Sequence, residues 1–179
     1  MEGAEAPLAA IGTAVLALVF LRAILHKLGG YAEFVGNVRD YRVLPEPLAP
    51  VIAPAVVALE CLAVAGLVLP QTRTPAAILA AALLVGYAIA IARNLARGRT
   101  TIDCGCGGGH GISPLHVLRN GLLAAFAVPV IAYPSAVLLS SGPFIAAAGC
   151  VLVLWMTFLI FDQLLGNHTH ANATTHAKL

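Results

Sequence analysis

Five apolar stretches decide what this chain can become. They run from about Pro7 to Leu28, Pro50 to Leu69, Pro75 to Asn94, Ser113-Pro114 to Tyr133, and Pro143 to Leu165. A bilayer core about 30 Å thick is crossed by a helix of roughly 20 apolar residues. Inside lipid an open sheet or an irregular segment would leave backbone polar groups unpaired, so stretches of this kind cross as helices. The predicted fold is all-α: a polytopic membrane bundle of five transmembrane helices, a four-helix core plus a fifth. Charge agrees. Only 10% of the 179 residues are Asp, Glu, Lys or Arg, against roughly 25% in a soluble domain. Residues 1–166 are predicted to form a single transmembrane domain, and 167–179 a disordered polar tail. The first stretch is too long, and its flank (Glu2, Glu5) too acidic, for a cleaved signal peptide. The lipid bilayer is the first partner. A formal net charge of +2 makes no case for nucleic acid.

The connections differ in character. Between Gly29 and Ala49, the residues Tyr31, Phe34, Val35, Val38 and Tyr41 recur at helical spacing among Glu33, Arg39, Asp40 and Arg42. That pattern predicts a short amphipathic helix at the membrane surface, ended by Pro45 and Pro47. With five crossings, the loops after the first and third share a face with the C-terminus. That face collects Lys27, Arg39, Arg42, Arg93, Arg97, Arg99 and Lys178, while the other has only Arg73. By the positive-inside rule the richer face is cytoplasmic.

The loop after the third stretch holds the chain's distinctive chemistry. It reads Arg97-Gly98-Arg99-Thr100-Thr101-Ile102-Asp103-Cys104-Gly105-Cys106-Gly107-Gly108-Gly109-His110-Gly111. Two thiols one residue apart can exchange a disulfide with a partner or hold a soft metal. The glycines permit backbone angles other residues avoid and leave the sulfurs open to attack. The thiolate is the reactive form and nearby cations favour it; Arg97, Arg99 and His110 can supply that field, and Asp103 opposes it. A disulfide across one glycine would be strained and easily reduced. Zinc fits less well, since structural sites take four ligands. A transient copper or mercury site on Cys104, Cys106 and His110 is the metal alternative.

Polar groups within the apolar stretches are the second signal, because ionisable residues are costly in lipid. Glu60 lies near the middle of the second stretch. Arg22 and His26 are four apart on the first, and His116, Arg119 and Asn120 share a face of the fourth. A polar cluster beneath the thiol loop is predicted, with Glu60 pairing an Arg or a protonated His. The bland alternative has both arginines snorkelling to the interface and Glu60 protonated. Asp162, near the end of the last stretch, is expected at the interface. Cys61 and Cys150 lie inside helices at similar depth; they form either a second thiol pair or, as buried cysteines commonly do, apolar filling. His168, His170 and His176 read as solvated tail residues.

These residues together resemble the methylamine-utilisation MauE family, related to the DoxX-like membrane proteins. The matching runs are Leu25-His26-Lys27-Leu28, Phe34 with Val38, Tyr41-Arg42-Val43-Leu44-Pro45, Glu60, Asn94 to Arg99, Ile102 to Gly107, Ile112-Ser113 and Arg119-Asn120. The resemblance implies a bacterial cytoplasmic membrane protein that supports maturation of methylamine dehydrogenase. That support is disulfide formation, processing or transport of the small (beta) subunit, an exported client, beside a thioredoxin-like partner. On that expectation Cys104 and Cys106 are the redox pair, and Glu60, Arg97, Arg99, Arg22, His26, His116 and Arg119 support it. No cofactor is evident; a quinone acceptor or a soft metal has no motif behind it. A soft-metal carrier and a non-catalytic scaffold for the thioredoxin-like partner are the rival functions. One tension stands in the sequence. Disulfides of exported clients form outside the cytoplasm, whereas the charge bias puts the thiol loop inside. Cys61 and Cys150 are then candidates for a relay across the membrane.

Overall fold

The computed structural model describes residues 5–42, 45–100, 102, 111–133 and 141–176, with side chains for all of these except 46, 141–143, 165, 166 and 168–176. Helix α1 is Glu5–Gly29, α2 Tyr31–Asp40, α3 Ala49–Val68, α4 Arg73–Ala96, α5 Pro114–Ala125, α6 Ala127–Ala132 and α7 Ser141–His176. Short 3-10 turns at Glu46–Leu48 and Pro70–Thr72 lead into α3 and α4. Five helical spans are long and apolar enough to cross a membrane, with α5 and α6 forming one of them. The chain is a multi-pass membrane protein, as the apolar stretches predict.

Helix α1 is the hub, packing on α3, α6 and α7, while α4 closes the bundle against α3 and α5. Its buried residues Gly12, Val15, Leu16, Val19, Phe20, Ala23, Ile24 and Lys27 recur at three- and four-residue steps, which is one helix face. Small residues set how closely the helices approach. Ala53, Ala63, Ala77 and Ala80 are all fully buried, and lipid-embedded helices gain their contact through such positions rather than through expulsion of water. Helix α7 leans on α1 from outside. Phe144, Ile145, Leu152, Val153, Ile160 and Leu164 are all exposed along it, a lipid-facing surface and the predicted fifth helix beside the core.

The predicted surface helix is α2, which buries only Phe34 and packs against α3 and α1. The fourth crossing is broken at Phe126, between α5 and α6. Pro129 explains the break: it has no N–H to give the Ala125 carbonyl, and its ring crowds that turn. The break is seated against α1 at Gly12, where a Cβ would collide with the Phe126 carbonyl oxygen. The chain from 167 onward, expected as a disordered tail, continues α7 helically through His176. Adding turns to an existing helix needs no new nucleus, and the Ala, Asn and Thr residues there do not forbid it.

Candidate functional site

Cys104, Cys106, Asp103 and His110 lie outside the described residues, and the structure shows how the chain enters and leaves their segment. Helix α4 ends in a paired C-cap. The Gly98 N–H donates to the Leu95 carbonyl (2.9 Å) and the Arg99 N–H to the Asn94 carbonyl (3.0 Å). Gly98 takes φ +70 to do so, the left-handed conformation that glycine adopts without penalty. Gly98→Ala meets open space on its Cβ, so its cost is conformational. We expect a loss of about 1–2 kcal/mol, read as a lower thermal midpoint with the helix content of the folded protein unchanged.

From that cap the entry segment is clamped to the end of α2. Arg99 Nη1 donates to the Asp40 carbonyl (2.7 Å), and Arg97 Nη1 to the Arg42 carbonyl (3.3 Å). Buried Asn94 donates to the Tyr41 carbonyl (3.0 Å) and accepts from Arg99 (3.3 Å). Cations at the carbonyl end of a helix also complement its dipole. Arg97 and Arg99 thus hold α2 against the loop, whatever field they supply to the thiols. The neck is closed by the Ile112 N–H donating to the Thr100 carbonyl (2.9 Å). Ile102 and Ile112, on either side of the thiol segment, are both buried. The exit is fixed by His116, fully buried one turn into α5, whose Nδ1 accepts from the Ser113 N–H (3.1 Å). That closes a capping box over the helix start.

Beneath the neck the intramembrane charges form two groups rather than one cluster. In the first, Lys27 Nζ of α1 lies 2.7 Å from Glu60 Oε1 of α3, and the Tyr87 hydroxyl of α4 donates to the same oxygen at 2.7 Å. Lys27 is 3% exposed and Glu60 0%. The Lys27 ammonium also sits over the rings of Phe34 (5.4 Å) and Tyr87 (5.5 Å), which replace part of its hydration. The expected partner for Glu60 was an Arg or a protonated His; it is Lys27. His26 does not join the site and is exposed. The reason is helical geometry. Lys27 continues the buried stripe of Phe20, Ala23 and Ile24, and His26 is rotated about 100° from it.

In the second group, Asp162 of α7 takes Arg22 of α1 on one oxygen (2.7 Å) and Arg119 of α5 on the other. Asp162 was expected at the interface, and is instead 1% exposed. The bland alternative of two snorkelling arginines is overturned for Arg119, which is 4% exposed and ion-paired. Arg22, at 27%, keeps a partly open edge. Both guanidiniums lie over the Phe158 ring, at 5.6 and 5.9 Å. Tyr87 carries no charge and had no pointer in the sequence. Lys27 and Asp162 were visible as charges, and the stripe on α1 was the signal that would have assigned the first.

Arg93 is exposed. Cys61 and Cys150 are free and exposed on α3 and α7, so they pair neither with each other nor into the core. Among the described residues no three His, Cys, Asp or Glu side chains come together as metal ligands.

A family model described as methylamine utilisation protein MauE matches residues 5–133. The chain is 46% identical over 118 residues to the methylamine utilization protein MauE of Paracoccus denitrificans, covering 64% of this chain and 63% of that protein. To the protein of the same name from Methylorubrum extorquens it is 42% identical over 149 residues, 79% of this chain and 80% of the relative. To that of Methylophilus methylotrophus it is 35% identical over 158 residues, 84% and 82% of the two. No solved structure matches it.

Proposed function

This chain belongs to the MauE family of methylamine utilisation proteins, and from that premise we propose that it is a membrane thiol–disulfide exchange component. Its client is an exported protein, by the family resemblance the small subunit of methylamine dehydrogenase. Cys104 and Cys106 are the exchanging pair. The observation that carries the reading is the pinned neck. The Thr100–Ile112 hydrogen bond, the buried Ile102 and Ile112 and the Arg97/Arg99 clamp fix the two ends of one short segment, and its sequence is a dithiol among glycines.

In the exchange, a client thiolate attacks one sulfur of the Cys104–Cys106 disulfide and forms a mixed disulfide. The second client thiolate then displaces it. The client gains a disulfide, and two electrons and two protons reside on Cys104 and Cys106 as thiols. A disulfide on a thioredoxin-like partner reoxidises the pair by the reverse sequence. Glu60, His116 and the Arg22–Asp162–Arg119 group lie in the supporting bundle, as organisers of the helices that hold the neck.

Cys104→Ser is expected to abolish disulfide formation in the client while leaving membrane insertion intact, read by alkylation-shift gels of the client. Unchanged client oxidation in the Cys104→Ser/Cys106→Ser double variant would sink the thiol mechanism and point to a scaffold. The proposed site is the cytoplasmic membrane of a bacterium. Labelling of Cys104 and Cys106 by a membrane-impermeant maleimide in intact cells reports which face the loop occupies. Labelling from outside reconciles the loop with an exported client and overturns the charge-based orientation.

A further inference from the structure

Among the buried polar atoms without a hydrogen-bond partner in the described residues are Glu60 Oε2 and Asn120 Nδ2. Their side chains are 0% and 2% exposed. An orphaned carboxylate oxygen and an orphaned amide N–H₂ are both expensive in a low-dielectric interior. They are also complementary, one an acceptor and the other a donor. Both residues line the same cavity of about 20 Å³. Arg22, Tyr87 and Arg119 complete its polar wall, with Ala23, Leu84 and Phe158 among its apolar residues. A site of that size holds about one water, and a buried water needs two to four polar partners.

We propose that this cavity is a specific hydration site, in which one water donates to Glu60 Oε2 and accepts from Asn120 Nδ2. The water joins α3 to α5. With the Lys27 and Tyr87 contacts on the other Glu60 oxygen, it makes a single hydrogen-bonded chain through α1, α3, α4 and α5. Helix α5 is the element capped by Ser113, at the exit of the thiol segment. The site therefore ties the packing of that helix to the state of Glu60. It does not depend on the thiol mechanism.

The test is infrared spectroscopy of the reconstituted full chain, comparing H₂¹⁶O with H₂¹⁸O. The wild type is expected to show an isotope-shifted O–H band from an immobilised internal water. Ala23→Val, which fills the cavity without removing a polar group, and Asn120→Leu, which removes the donor, should each lose that band. Glu60→Gln should keep the band but move it, because the acceptor becomes a neutral amide. Absence of the band in the wild type overturns the proposal, and so does a band that persists in both Ala23→Val and Asn120→Leu. The wild-type measurement decides even if a variant does not fold, and client oxidation measured alongside separates failure here from failure of the thiol reading.

Discussion

Lys27→Met is expected to cost the folded protein about 3–5 kcal/mol, the usual penalty for leaving one member of a buried ion pair behind. In a domain of this size that corresponds to a fall of about 6–20 °C in the thermal midpoint. Glu60 would keep the Tyr87 hydroxyl (2.7 Å) but lose the Lys27 ammonium 2.7 Å from the same oxygen. The informative comparison is the double variant Lys27→Met/Glu60→Gln. Taking out both charges removes the uncompensated carboxylate, so the second substitution should restore more than half of what the first lost. Thermal unfolding in detergent, followed by helical circular dichroism, measures this. Strictly additive losses in the double variant would mean that Lys27 and Glu60 do not act as a pair.

Asp162→Asn should have an effect of similar size for a different reason. Its two oxygens separate Arg22 from Arg119, so neutralising it leaves two guanidiniums facing one another inside the bundle. The expected loss is about 3–5 kcal/mol. Arg22→Gln should cost only about 1 kcal/mol or less, because Arg22 has a partly open edge and Asp162 retains Arg119. An equal loss in both variants would show that Arg22 carries as much of the group as Arg119. Asp162→Glu is the control that keeps the charge and strains the geometry.

The five crossings and the surface helix were legible because apolar length and helical periodicity are local properties of a chain. Phe34 on α2 followed from the same pattern. The pairing of charges was not local. Glu60 was recognisable as a costly residue, yet its partner is thirty-three positions away and could be named only from the rotation of α1. Asp162 misled for a related reason. Its position near the end of an apolar stretch suggested the interface, but α7 leans on α1 so that the carboxylate meets Arg22 and Arg119. Arg97 and Arg99 were expected to act on the thiols. Their observed bonds to carbonyls at the end of α2 depend on where that helix finishes, which sequence places only to within a few residues.

The distribution of the buried charges over the crossings bears on how the chain is made. An ionisable residue at the centre of a lone helix costs roughly 2.5–3.5 kcal/mol at insertion. Lys27 is synthesised with α1, and its counter-ion arrives with the next crossing, α3, so the two can enter lipid as a hairpin. Arg22 and Arg119 wait longer. Their carboxylate is on α7, which leaves the ribosome after both of them. Until then the fourth crossing carries an unneutralised guanidinium into the bilayer, and α7 acts as a late latch that completes the charge balance of helices already in place.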